Sequence, residues 1–292
     1  MRLIPVLLSA ATLFAAQETI SLVALDRQGA PVADLKASEL QLLDNGQPMP
    51  IGSFGRLSNP ADSPLIVLYD LLNTATGARS NVPEQIVQSL QHADPKTPAS
   101  LYLLSANGEI VPVRDPSHLD AALRGTSVIR PKNLDPTGAR VKATYAALAS
   151  LYKTIGSQPG RKSIVWITHG VPLSAISTAG TPIDYLPVLK KFAASLGREQ
   201  VVINPVQQNI NASSQATDSS RDSLQYFADL TGGRLYTNET IDRAVTESLR
   251  DTAYSYVLAY DAPTDGKFHT IRITCTRPGV RIQSRSGYFA EP

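Results

Sequence analysis

The chain has 292 residues, of which 42% are hydrophobic and 18% are charged. This composition is that of an ordinary globular protein and excludes a disordered or fibrous chain. The 27 basic and 25 acidic residues nearly cancel, so the sequence has no electrostatic footprint for nucleic acid, and we expect no such partner.

The N-terminal segment is an apolar stretch with one arginine, MRLIPVLLSAATLFAAQ. Its length fits the core of a signal peptide and falls short of the roughly 20 residues that a spanning helix needs. We therefore predict a signal peptide over residues 1–17, export to the periplasm or the medium, and no integral membrane span after cleavage. Because Leu13 or Phe14 falls where a small residue is preferred for cleavage, an uncleaved anchor stays open as the alternative.

The two ends of the mature chain have the alternating pattern of β-strands. Residues 18–60 alternate apolar and polar side chains, with turns at Gly29 and at Asn45-Gly46, and residues 254–292 return to the same period. Isolated hairpins are marginal in water, so we predict that the two ends pair into one small antiparallel β unit. Aromatic residues that we expect to pack this unit, or alternatively to form a partner-binding face, are Tyr254, Tyr256, Tyr260, Tyr288 and Phe289.

Residues 61–253 alternate between short apolar runs and helical periods. Runs that are apolar on both faces predict covered strands at 64–70, 99–105, 163–168 and 201–204. Helical periods predict helices at 82–92, 139–155, 184–196, 220–230 and 241–253. Strand and helix in alternation predict an α/β domain with a mostly parallel sheet, and Asn107-Gly108 adds one antiparallel hairpin at its edge.

Several segments, taken in the order in which they follow one another along the chain, resemble the bacterial VWFA-related domain family. This family is built on the von Willebrand factor A-type fold. The resemblance rests on VLYDLLNT, PGRKSIVWITHG, TGGRLY and the closing YVLAY, DGKFHTI and RSGYFA. It implies a doubly wound, mostly parallel, Rossmann-like sheet with a crevice beyond the carboxyl ends of its strands. It also implies a metal-ion-dependent adhesion site in that crevice, with oxygen ligands for a hard cation.

The residues of that implied site are only partly present. Asp70 matches the first acid of the family's Asp-x-Ser-x-Ser motif and Thr74 matches its second serine, but Leu72 stands where the first serine is expected. His169 stands in place of the acid that follows the fourth strand.

The threonine of the family's second loop corresponds either to Thr137 or to Lys142, and the sequence leaves both open. With one carboxylate missing, we expect no cofactor and at most weak Mg²⁺ binding by Asp70 and Thr74. We expect Asp70 to cap a helix or to pair with His169 instead. Asn73, Thr137 and His169 are predicted to line the binding crevice.

The favoured function is that of an exported, non-catalytic module that binds an unknown protein partner or mediates adhesion. Its predicted contact surface is formed by the crevice loops 71–81, 126–140 and 169–182, which are rich in small polar residues and poor in apolar anchors.

The alternative function is an envelope hydrolase or a zinc-dependent enzyme that uses Asp70 and His169, with Ser105 or Ser174 as nucleophile. The sequence has no G-x-S-x-G elbow, no G-x-G-x-x-G signature and no P-loop, so we do not expect an enzyme.

Overall fold

The computed structural model describes residues 16–57, 63–74, 81–93, 99–126, 129–134, 137–155, 160–177, 179–207, 215–237 and 240–292. Residues 1–15 of the predicted signal peptide, and the predicted boundary between residues 60 and 61, lie outside these ranges. Within them, no helix combines the length and the apolar character that crossing a membrane requires.

The described ranges contain sixteen strands and six α-helices. The strands are β1 (Ala16–Leu25), β2 (Leu40–Asp44), β3 (Gln47–Met49), β4 (Ser53–Arg56), β5 (Leu65–Asp70), β6 (Ala99–Leu104), β7 (Ile110–Val113), β8 (Lys162–Thr168), β9 (Ser174–Ile176), β10 (Pro182–Asp184), β11 (Val201–Gln207), β12 (Tyr236–Thr237), β13 (Tyr256–Ala262), β14 (Phe268–Cys275), β15 (Arg281–Ser284) and β16 (Gly287–Phe289). The helices are α1 (Val82–His92), α2 (Leu119–Gly125), α3 (Thr137–Ile155), α4 (Leu186–Arg198), α5 (Gln215–Thr231) and α6 (Ile241–Ala253). The five predicted helices are confirmed within a few residues at their ends, whereas α2 and the β9–β10 hairpin were not predicted.

The predicted fold class, a doubly wound, mostly parallel, Rossmann-like sheet with one small antiparallel unit, is wrong. The described strands form four sheets, and eight of their twelve pairings are antiparallel. The largest sheet has six strands and is mixed. The physical reason is that the terminal strands use both of their edges: β1 pairs with β13 and β15, and β14 pairs with β2 and β16, which builds two full sheets instead of one appendage.

The six-stranded sheet, in the order β12-β11-β8-β5-β6-β7, carries the residues of the predicted site. Parallel pairing is limited to β12 through β6, and β7 folds back antiparallel on β6 through a turn in which Gly108 has φ +86°. This confirms the predicted edge hairpin. Alternate residues of β5 enter two hydrophobic cores, one with α3, α4 and α5 and the other with α1, α2 and α6.

The two four-stranded sheets, in the orders β15-β1-β13-β4 and β16-β14-β2-β3, share a third hydrophobic core. Tyr256, Tyr260 and Tyr288 are buried in that core, which confirms their packing role, while Tyr254 is partly exposed. Two facing antiparallel sheets with such a core form a β-sandwich, which we call the terminal sandwich.

A buried ionic group joins the terminal sandwich to helix α4. Glu18 of β1 is buried and forms an ion pair with the buried guanidinium of Arg285, which follows β15. Arg198, at the end of α4, lies 3.5 Å from the second oxygen of Glu18 and 3.0 Å from Glu291. The carboxylate of Glu18 is therefore shared between a cation of the sandwich and a cation of the helix.

Candidate functional site: the crevice edge

Two neighbouring parallel strands bring their carboxyl ends to one point of the central sheet. β5 ends at Asp70 and β8 ends at Thr168, and the register of the two strands pairs Tyr69 with Ile167. Asp70 and Thr168 therefore lie opposite each other. We use the name crevice edge for the region formed by residues 70–74, 129–142 and 168–184.

The carboxylate of Asp70 is fully buried and is surrounded by hydrogen-bond donors of the protein itself. Its Oδ1 accepts a hydrogen bond from the backbone N–H of Asn73 at 2.9 Å. Its Oδ2 accepts from the Asn73 side-chain amide at 2.8 Å, from the Thr168 hydroxyl at 2.8 Å and from the Trp166 indole at 3.1 Å. A metal ion would have to displace these donors to reach the carboxylate.

The electrostatic state of Asp70 follows from this burial. Desolvation raises the pKa of Asp70 above its ordinary value, and the hydrogen bonds from Asn73, Thr168 and Trp166 oppose that shift without cancelling it.

Asn73 ties the loop after β5 to helix α3. Its amide nitrogen donates to Thr144 Oγ1 at 2.9 Å, and the Thr144 hydroxyl donates to the carbonyl of Arg140 at 2.9 Å. Nearby, Arg130 Nε donates to the carbonyl of Leu72 at 3.1 Å. The first half of α3 and the segment before it are therefore fixed against the first crevice loop.

The structure brings together some of the predicted site residues. Thr74 is fully buried in the loop after Asp70, and His169 is buried next to Thr168. Thr137 is the first residue of α3, and the threonine that contacts the Asp70 loop is Thr144, two turns further along the helix. Thr168, at the end of β8, donates a hydrogen bond to Asp70, and the expected pairing of Asp70 with His169 stays a prediction.

Three residues of this site were not predicted: Trp166, Thr168 and Thr144. Trp166 and Thr168 are two apart on β8, so they point to the same face, and this spacing was the available signal. Thr144 is a polar residue in the buried stripe of α3, next to Tyr145 and between Val141 and Leu148.

The serines of the hydrolase alternative have other positions. Ser105 is buried in the turn between β6 and β7, where its hydroxyl accepts a hydrogen bond from the backbone N–H of Glu109 at 3.1 Å. Ser174 is exposed at the start of β9. No described contact aligns either hydroxyl with Asp70, and we find no support here for a triad.

The third crevice loop is an ordered hairpin with a fixed base. Gly170 has φ +86°, and a Cβ at this position would lie 2.9 Å from the carbonyl oxygen of Ser220 in α5. The Ser223 hydroxyl donates to the carbonyl of Val171. Beyond the base, β9 and β10 pair antiparallel, and the backbone N–H of Tyr185 donates to the Leu173 carbonyl at 2.8 Å.

The crevice loops carry exposed apolar side chains, so the expectation that they are poor in apolar anchors is wrong. Ile129 is 78% exposed and Ile176 is 77% exposed, and Ile183 is exposed on β10. In the described part of the chain, the other large exposed hydrophobic residues are Val188 and Tyr254. Three of the five therefore lie at the crevice edge.

Comparisons with known proteins give similarity to solved structures alone, because no family model and no curated protein matches the chain. The chain is similar to an aerotolerance-related membrane protein from Bacteroides fragilis, at 12% identity and a TM-score of 0.39, over 65% of this chain and 98% of that one. It is also similar to the pilus adhesin SpaC from Lactobacillus rhamnosus, at 8% identity and a TM-score of 0.42, over 88% of this chain and 48% of that one. A third similar structure is the conserved hypothetical protein BatB from Bacteroides thetaiotaomicron, at 10% identity and a TM-score of 0.38, over 65% and 97%. At these identities and TM-scores, the neighbours assign neither a family nor a function to this chain.

Proposed function

We propose that this chain is an exported, non-catalytic interaction module, related to the VWFA-related domain family, that binds a protein partner through the crevice edge. The observation that carries the proposal is the exposure of Ile129 and Ile176 on loops that are fixed to the body of the protein. Large apolar side chains held in water on a rigid support are typical of a protein-binding surface.

The state of Asp70 supports a module that does not act through a metal. A hard cation needs several free oxygen ligands, whereas both oxygens of Asp70 accept hydrogen bonds from Asn73, Thr168 or Trp166. We propose that Asp70 and Thr74 form a degenerate metal site whose present role is to hold the crevice loops in place. Weak Mg²⁺ binding there stays a proposal.

The proposal is tested by capture of partners from a cell-envelope extract on the immobilised protein. We expect the wild-type chain to retain a specific set of proteins, and an Ile129→Asp/Ile176→Asp variant to lose it, because two charges would be placed where the partner buries apolar surface. The control is Val188→Asp, which changes an apolar residue on α4 that is 56% exposed and lies outside the crevice edge.

Both variants are first checked for an unchanged free energy of unfolding in urea, since the replaced side chains are exposed. The proposal is overturned if the wild-type protein retains no specific protein, or if the double variant retains the same set as wild type and Val188→Asp.

A further inference from the structure

His269 of β14 is buried, and each of its two ring nitrogens faces a carboxylate. Its Nδ1 lies 2.6 Å from Asp44 Oδ1 at the end of β2, and its Nε2 lies 3.0 Å from Asp265 Oδ1 in the turn between β13 and β14, residues 263–267. An ionised carboxylate only accepts hydrogen bonds, and a neutral imidazole has a single N–H group. The ring can therefore donate to both carboxylates only when both of its nitrogens are protonated.

The titratable and charged groups around the imidazole come from four parts of the terminal sandwich. Asp44 ends β2, and its Oδ2 accepts hydrogen bonds from the hydroxyls of Tyr260 on β13 at 2.8 Å and of Tyr288 on β16 at 2.9 Å. The Tyr288 ring also packs on the imidazole, with 5.3 Å between the ring centroids. Asp265 lies in the turn, where the backbone N–H and the charge of Lys267 help to lower its pKa. Two carboxylates beside the ring favour its charged form.

The two carboxylates differ in their access to water. The side chain of Asp44 is 3% exposed, whereas that of Asp265 is 39% exposed. Water can replace a lost hydrogen bond to Asp265, but a buried carboxylate without its donor carries the full cost of desolvation. When the imidazole loses one proton, the remaining N–H therefore stays on Nδ1, toward Asp44, and the contact of Nε2 with Asp265 is lost. The amide of Asn45, 3.2 Å from Nδ1, makes a longer contact that does not replace the bond to Asp44.

The same turn also holds the segment that follows β16. The N–H of Gly266 donates to the carbonyl of Glu291 at 3.3 Å, and the N–H of Ala290 donates to the carbonyl of Lys267 at 2.9 Å. The side chain of Glu291 in turn lies 3.0 Å from Arg198 at the end of α4. A movement of the turn is therefore passed on to this segment and to its contact with α4.

We propose that His269 is a pH-sensitive switch. Its imidazolium form holds the turn of residues 263–267 to the end of β2, and loss of one proton releases this turn together with the segment after β16. Burial lowers the pKa of His269, but hydrogen bonds and attraction from Asp44 and Asp265 outweigh it, so the net shift is upward from 6.5. The turn is therefore held fully below pH 6.5 and is released as the pH rises through the pKa that His269 has in the folded protein. This switch does not depend on the partner binding proposed for the crevice edge.

Hydrogen exchange of the full chain tests the switch. Amide exchange is measured by mass spectrometry at about pH 6 and about pH 9, and comparison with the rate of the unfolded chain at the same pH gives a protection factor. We expect protection of the turn and of the segment after β16 to fall about fivefold at the higher pH, because a hydrogen bond between charged, partly exposed groups is lost. Residues 271–275 of β14 are expected to lose less protection, since this strand stays paired with β2.

Asp265→Asn is the decisive variant, because an amide can serve either form of the ring. Its oxygen accepts a hydrogen bond from a protonated Nε2, and its nitrogen donates one to a deprotonated Nε2. We therefore expect the turn of this variant to keep the same protection at both pH values. The matched control is Asp242→Asn, which changes an exposed acid 3.2 Å from the exposed His92 and should keep the wild-type pH dependence of the turn.

Nitrogen NMR of the imidazole gives the charge of His269 at each pH, with its signals assigned by comparison with a His269→Gln variant. The proposal is supported if the ring loses its proton over the pH range in which the turn loses protection. It is overturned if protection of the turn does not change with pH, or if Asp265→Asn keeps the wild-type pH dependence. Loss of protection by the same factor in β14 and in the turn also overturns it, because the whole fold, and not the turn, would then respond to pH.

Discussion

Asp70 accepts hydrogen bonds from residues at the end of β8 and in the loop after β5, so it holds these two parts of the crevice edge together. Trp166 and Thr168 come from β8, and Asn73 links the same carboxylate to α3 through Thr144. A buried polar group that loses one of its partners carries the cost of desolvation without compensation. Substitutions at these residues are therefore expected to lower the free energy of unfolding.

We expect Thr168→Val to lower the free energy of unfolding by about 1–3 kcal/mol, because it removes one donor to Asp70 and the acceptor for the Gly170 N–H. Asp70→Asn should cost at least as much, since an amide cannot accept hydrogen bonds on both of its terminal atoms. Urea unfolding measures both changes. Asp222→Asn on the exposed face of α5 is the control and should change stability by less than about 0.5 kcal/mol.

This account of Asp70 is contradicted if both variants unfold at the same urea concentration as wild type. Such a result would mean that the donors around the carboxylate find other acceptors.

Part of this site could be predicted from single residues and part could not. Asp70 at a strand end was visible because a lone acid ends an apolar run. The replacement of an acid by His169 follows only from the family resemblance and stays a prediction. The bond to Trp166 was not visible, because a tryptophan among isoleucines has the same pattern whether or not its indole N–H meets an acceptor. Only the register of β5 against β8 decides that point.

In the terminal sandwich, His269 links the end of β2 to the turn between β13 and β14. His269 of β14 is buried, and its Nδ1 lies 2.6 Å from Asp44 at the end of β2, while its Nε2 lies 3.0 Å from Asp265. Burial lowers the pKa of His269, but hydrogen bonds and attraction from the two carboxylates outweigh it, and the net shift is upward. Tyr260 and Tyr288 donate hydrogen bonds to the carboxylate of Asp44. Both tyrosines have raised pKa values and stay neutral at ordinary pH.

This upward shift gives a prediction with a defined sign. Because the pKa of His269 is raised in the folded state, its charged form stabilises the fold fully below the ordinary histidine pKa of 6.5. This contribution is lost as the pH rises through the pKa that His269 has in the folded protein. We expect wild type to exceed a His269→Gln variant in stability by more at about pH 6 than at about pH 9. Urea unfolding at the two pH values checks this, and a gap that stays constant or widens with pH contradicts it.

The short strands show why the crevice loops were only partly predicted. β9 and β10 have three residues each, too few for a period of two to stand out among glycines, serines and prolines. Long elements were predicted well because several turns of a helix repeat the same signal, as in α3 and α6. The exposed Ile176 was missed for the same reason as its strand.

At the opposite end of the parallel strands from the crevice edge, two of the segments that carry the family resemblance meet, at Arg161 and Gly232. Arg161 of PGRKS donates to the carbonyl of Gly232 of TGGRLY at 3.5 Å. Arg234 of the same segment donates to Asp251 at 3.3 Å and to Gln283 of β15 at 3.0 Å. Arg234 therefore connects the segment before β12 both to α6 and to the terminal sandwich.

Glu18 forms another connection between the terminal sandwich and the rest of the protein. We expect Glu18→Gln to lower the free energy of unfolding by about 3–5 kcal/mol, because it leaves the buried charge of Arg285 without its carboxylate. The control is Glu291→Gln, which removes the exposed acid that contacts Arg198 and should cost no more than about 1 kcal/mol. Urea unfolding compares the two, and equal costs would contradict the shared role of Glu18.

The arrangement of the sheets was the least predictable level. Alternation correctly located strands at both ends of the chain, but it did not say how many partners each strand takes, since both edges of a strand look the same in sequence. The prediction of one small β unit failed on that point, as β1 and β14 each have two neighbours. The proposed division of the chain at residues 60 and 253 stays a prediction.

The pairing of β1 with β13 and β15 also sets the order of events in biogenesis. The residues that pair with β1 lie more than 230 residues later in the chain, as in Leu22 opposite Tyr256 and Ala16 opposite Ala262. The β1 sheet cannot close until nearly the whole polypeptide has been synthesised, and contacts of such long range form slowly.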